Sequence, residues 1–138
     1  MSTTTNTTMV RRSMAALAVV GILLLAACSS GSSAITTVDP RTFLTTASQP
    51  GVTVVDVRTP EEFAAGHLDG AVNMNVEGAD FGNQILKLDK TSTVAVYCHS
   101  GRRSAIAADQ LAAAGFTSIV NLEGGIADLQ SAGGTLVG

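Results

Sequence analysis

Short β-branched runs alternating with short helical segments predict an α/β domain, a central parallel sheet of about five strands with helices on both faces. Two observations carry that prediction. Residues 52–57 (VTVVDV) and 93–97 (TVAVY) are rich in valine and threonine, as strands buried in a parallel sheet are. Proline and glycine punctuate the junctions, at Pro40, Pro50, Pro60, Gly66 and Gly115. No internal repeat interrupts the alternation.

Each element has a local reason. Residues 35–38 (ITTV) open the domain as a β-rich strand. Asp39-Pro40 then supplies an N-cap and a proline at the first helical position, predicting a helix to about Ser48 that Gln49-Pro50-Gly51 ends. After the strand at 52–57, Thr59-Pro60-Glu61-Glu62 predicts a second capped helix, its carboxylates facing the positive helix end, which stops at Gly66. Residues 71–75 (AVNMN) read as a third strand, and 84–88 as a short helix following a loop. The buried strand at 93–97 delivers the chain to Cys98. Residues 104–114 are alanine-rich with apolar positions at helical spacing, and Gly115 is a good C-cap. Residues 118–121 make the last strand, and Gly124-Gly125 lead into a final helix over 126–130. The glycine-rich residues 133–138 are expected to be loosely ordered.

The most informative segment is Cys98-His99-Ser100-Gly101-Arg102-Arg103-Ser104, lying between a buried strand and a helix. In an open α/β sheet, ligands bind at the carboxyl ends of the strands. Consecutive loop N–H groups form an anion-binding concavity there, and the following helix adds its positive end. Such surroundings favour a thiolate, which is the nucleophilic form of cysteine. Arg102 and Arg103 add cationic character and imply an anionic substrate. Gly101 is expected to supply a left-handed turn, cheap only for glycine. Asp56, at a strand end, is expected to anchor backbone N–H groups. The turn after it is expected to be fixed by an ion pair of Arg58 with Glu61 or Glu62. For His67 a structural hydrogen bond is the expected role. With two histidines and no second cysteine free, no metal site is expected.

The Cys98 segment resembles the active-site loop of the rhodanese superfamily. Two further stretches share that resemblance: Asp56 to Phe63 with Gly66 to Asn73, and Gly115-Phe116 with Val120 to Gly125. Together they span nearly everything from Ile35 onward. The resemblance implies covalent sulfur transfer through a Cys98 persulfide, without metal or organic cofactor. Backbone N–H groups from His99 to Ser104 would cradle the persulfide, Arg103 would shape the loop and attract the donor, and Arg102 would point outward and assist capture. A small anionic sulfur donor such as thiosulfate and a thiol or cyanide-like acceptor are the implied partners; no protein partner is implied. Related phosphatases and arsenate reductases have a loop one residue longer, whereas here cysteine and arginine are first and sixth. A membrane-tethered persulfide or redox relay, or a binding module, is the other alternative. The family often places tryptophan after the diglycine; here it is Ile126, and the chain has no tryptophan.

The start of the chain has a separate character. Residues 14–27 form an apolar run broken by Gly21 and preceded by Arg11-Arg12. Fourteen residues span about 21 Å as a helix against a hydrocarbon core of about 30 Å, so the run fits a secretory signal better than a membrane span. Leu25-Ala26-Ala27-Cys28 resembles the bacterial lipoprotein box, which implies cleavage before Cys28 and lipidation of its sulfur. The expected organisation is a signal peptide over 1–27, a lipidated cysteine and flexible tether over 28–33, and the rhodanese-like domain over 34–138. The expected location is the outer face of the bacterial cytoplasmic membrane, or its periplasmic side. Residues 1–27 hold two of the eight basic residues and none of the eleven acidic ones, so the remainder carries a formal charge of −5. That charge disfavours nucleic acid as a partner. Lipidation of Cys28 would leave Cys98 without a disulfide partner.

Overall fold

The computed structural model describes residues 33–138; the expected signal peptide, Cys28 and the tether up to residue 32 lie outside the described residues. The described elements run β1 (Ile35–Val38), α1 (Pro40–Ala47), β2 (Thr53–Asp56), α2 (Pro60–Ala64), β3 (His67–Leu68), β4 (Val72–Asn73), α3 (Phe81–Ile85), β5 (Val94–Tyr97), α4 (Arg102–Ala113), β6 (Ile119–Leu122), α5 (Ile126–Ser131) and β7 (Leu136–Val137). Five strands form one sheet in the order β1-β6-β5-β2-β4, with every neighbouring pair parallel. This is the predicted architecture.

The period-2 geometry of β5 divides the core. Val94, Val96 and Cys98 face one layer with Leu111, Phe116, Phe81 and Ile85, while Ala95 and Tyr97 face the other with Phe43, Leu122, Ile126 and Leu129. All four residues of β5 are fully buried, so the chain entering Cys98 is packed on both sides. Leu111 and Phe116 are each worth about 1.5–3 kcal/mol on burial, which anchors α4 beneath that layer.

The helix starts follow their caps. The Asp39 carboxylate accepts from the backbone N–H of Arg41 at 3.0 Å and of Thr42 at 3.1 Å, and Pro40 takes the first helical position. Thr59 and Glu62 form a reciprocal capping box: Thr59 Oγ1 accepts from Glu62 N at 3.2 Å, and Glu62 Oε2 accepts from Thr59 N at 3.0 Å.

Three expectations are corrected. The helix expected over 84–88 runs over Phe81–Ile85, because Phe81 and Ile85, four apart, bury on the same side. The helix after the cysteine begins at Arg102 rather than Ser104. Residues 133–138 are not loose: β7 pairs antiparallel with β3, Gly134 N donates to Leu129 O at 2.8 Å, and Asp69 N donates to Thr135 O at 3.0 Å. Among the described residues no helix is long and apolar enough to cross a membrane.

Candidate active site

Cys98 leaves the carboxyl end of β5 and the chain turns back into α4 within four residues. Gly101 makes that turn with φ +99°, the left-handed conformation expected of it. Its N–H donates to Cys98 Sγ at 3.0 Å. The N–H groups of Ser100 and Ser104 also face the sulfur, and the Ser104 hydroxyl has two acceptors within reach for its one proton, the sulfur and Gly101 O at 3.1 Å. Burial opposes ionisation of this thiol, but hydrogen bonding from the Ser104 hydroxyl, then from the Ser104, Ser100 and Gly101 N–H groups, outweighs it. The Cys98 thiol therefore ionises below its ordinary value of 9.0. Ser104→Ala is expected to move the midpoint of Cys98 alkylation upward in pH, measured as the rate with a neutral haloacetamide.

The sulfur sits at the floor of the loop. Cys98 has no exposed surface, whereas His99, Ser100 and Arg102 are exposed and form its rim. The His99 backbone also meets the diglycine turn. Its carbonyl lies against Gly125, where an added Cβ would come within 1.7 Å of it, and Cys98 O accepts from Ile126 N at 3.0 Å. The diglycine turn is thus the seat on which the cysteine loop rests. Gly125 N donates to Asp128 Oδ2 at 2.8 Å, which fixes the seat at the start of α5. Gly125→Ala is expected to cost about 2–3 kcal/mol and to disturb thiolate formation, because the clash is with backbone. Urea denaturation together with the alkylation rate checks both effects.

Behind the loop lies a buried polar network. Asp56 and Arg58 are 0% and 5% exposed. Asp56 accepts from Arg58 N and Nε at 3.0 Å and from Arg58 Nη2 at 2.6 Å, and Arg58 Nη2 also donates to Gly66 O at 2.7 Å. The expected anchoring by Asp56 is present, but the expected pairing of Arg58 with Glu61 or Glu62 is not: Asp56 is nearer and wholly desolvated. Tyr97, preceding the cysteine, accepts from Leu68 N through its hydroxyl at 2.9 Å, and burial pushes its phenol well above the ordinary range. His67 Nδ1 lies 2.9 Å from Phe63 O and its ring stacks on Phe63, the structural role expected of it.

Arg103 differs most from expectation. Its Nη1 and Nη2 donate to the two Glu62 oxygens at 2.7 and 2.8 Å, a bidentate pair linking α4 to α2. Glu77 adds a second carboxylate at 3.5 Å from Nη1. The guanidinium is therefore occupied within the fold rather than presented to a donor; Arg102 is the exposed one. Glu62 is held at about 2, first by hydrogen bonding from Arg103 and against burial, compared with an ordinary 4.5. Because this folded-state value is lowered, its stabilisation is complete above pH 4.5 and disappears as pH falls from 4.5 towards 2. Glu62→Gln is expected to flatten stability across that window in pH-dependent urea denaturation. Neither Glu62's partner nor Glu77 was anticipated from sequence.

A buried cysteine whose sulfur faces backbone N–H groups, on a six-residue loop between a buried parallel strand and a helix, is the site this α/β domain presents. The chain belongs to the Rhodanese-like domain family, whose model matches residues 39–132. It is 35% identical over 97 residues to an uncharacterized protein of Synechocystis, covering 70% of this chain and 53% of that protein, so the shared segment spans about half of that relative. It is 36% identical over 75 residues to the thiosulfate sulfurtransferase PspE of Escherichia coli, covering 54% of this chain and 71% of PspE. Among solved structures, the Alr3790 protein of Anabaena superposes with a TM-score of 0.66 at 28% identity, covering 73% of this chain and 91% of that one.

Proposed function

We propose that this chain is a sulfurtransferase that moves sulfane sulfur from a small anionic donor such as thiosulfate to a thiophilic acceptor. Its carrier is a persulfide on Cys98. The observation that carries this reading is the buried Cys98 sulfur accepting from Gly101 N at 3.0 Å, with the N–H groups of Ser100 and Ser104 alongside, an arrangement that favours the thiolate. The Cys98 thiolate attacks the outer sulfur of thiosulfate, the donor's S–S bond breaks, and sulfite leaves with the electron pair. The persulfide's terminal sulfur carries the negative charge and lies against the same N–H donors. Cyanide, or a thiolate, then attacks that sulfur, and the Cys98–S bond breaks to return the thiolate. No general base is needed, so His99 serves the rim and not proton transfer.

Membership of the Rhodanese-like domain family and the resemblance to PspE support this reading. The six-residue loop supports sulfur over phosphate, since a tetrahedral phosphoryl group needs a wider cradle. Domain from about Ser29, incubated with thiosulfate and then analysed by mass spectrometry, is expected to gain one sulfur atom on Cys98 and to lose it to cyanide. Hydrolysis of a phosphate ester without any sulfur gain would sink the proposal.

The reading includes location. The apolar run at 14–27 and the box ending at Cys28 support export and lipid anchoring on the outer or periplasmic side of a bacterial cytoplasmic membrane. Wild type is expected in the membrane fraction, and Cys28→Ser outside it.

A further inference from the structure

We propose that Glu62 and Glu77 are specificity-determining residues that cancel the charge of Arg103, so that the Cys98 loop favours sulfur donors and acceptors no more highly charged than the thiosulfate dianion over larger polyanions. This rests on the sulfurtransferase reading and deepens it to a substrate class.

The charge balance at the loop carries the inference. Arg103 is the sixth loop residue, yet both its terminal nitrogens are engaged by Glu62, and Glu77 stands beside Nη1. Two carboxylates thus share one guanidinium. Arg102 contributes the other positive charge and makes no ion pair among the described residues. These four side chains sum to zero, leaving the backbone N–H groups and the start of α4, about half a positive charge, to hold a donor's anionic end. Glu62 is also fixed at the start of α2 by its bond from Thr59 N, so it cannot swing aside when a donor arrives. Glu77 lacks such a tie on its carboxylate and is 54% exposed, which makes it the adjustable member.

Paired alkylation of Cys98 by iodoacetate and by neutral iodoacetamide tests this. Both reagents need the thiolate and pass through the same loop, so their rate ratio removes thiolate fraction and loop opening and keeps the local field. Glu77→Gln is expected to raise the ratio about threefold, and Glu62→Gln with Glu77→Gln about tenfold, both shrinking in high salt. Gln at position 62 keeps an oxygen to accept from Thr59 N. A KM for thiosulfate that falls in the same order would support the proposal further. A merely structural role for the two residues would slow both reagents together, and an unchanged ratio in the double variant overturns the inference. Alkylation requires no sulfur transfer. If no variant, nor wild type, takes sulfur from thiosulfate, the sulfurtransferase reading falls while the ratio still decides the charge assignment.

Discussion

Cys98→Ser is expected to lower thiosulfate-to-cyanide turnover by at least about a thousandfold while leaving the fold intact. Serine fits the fully buried site, and its oxygen can still accept from Gly101 N, as the sulfur does at 3.0 Å. What it cannot do is ionise near neutral pH or carry a labile sulfur. The loss therefore belongs to chemistry and not to packing. Coincident urea curves for the two proteins, with turnover absent from the variant, are the expected pair of results. Turnover retained by the variant would place the sulfur carrier elsewhere.

Asp56→Ala is expected to destabilise the domain by about 3–5 kcal/mol, because it leaves the Arg58 guanidinium buried without its counter-charge. The consequence reaches the active site. Arg58 lies over the Tyr97 ring at 5.9 Å from its centroid, and Tyr97 is the last residue before the cysteine. Val57 N also donates to Tyr97 O at 3.1 Å, so a loosened β2 end transmits directly to the loop. Adding Arg58→Met to Asp56→Ala is expected to recover part of the stability, since it removes the orphaned charge. Equal midpoints for the single and double variants in urea would show that the pair's charge is not what the site depends on.

The elements with strong local signals were legible. Asp39-Pro40 and Thr59-Pro60-Glu61-Glu62 announce helix starts through caps that act within three residues, and both caps are present. The β-branched runs at β2 and β5 announce buried strands for the same local reason. The helix over Phe81–Ile85 was misplaced because its signal is two aromatic and aliphatic positions four apart, which only acquire meaning once a core exists to receive them. The C-terminal residues misled in another way: their glycines suggest freedom, but Gly134 is there because Leu129 O, Leu44 and Leu68 leave no room for a side chain.

By itself the sequence determined the parallel α/β class, the order along the chain of the five sheet strands and the helices between them, and the cysteine loop with its left-handed glycine, but not the small β3–β7 pair. These depend on periodicity, capping and turn chemistry, all of which act over a few residues. Tertiary structure alone decided how the loop is held and what charge it shows. Glu62 and Arg103 are 41 residues apart in the chain, and Tyr97 meets Leu68 across 29. His99 and Gly125 meet only because β5 and β6 lie side by side. A carboxylate's local neighbourhood shows its role as a cap but not the distant cation it neutralises, because that partner is selected by where the fold brings α2 and α4 together.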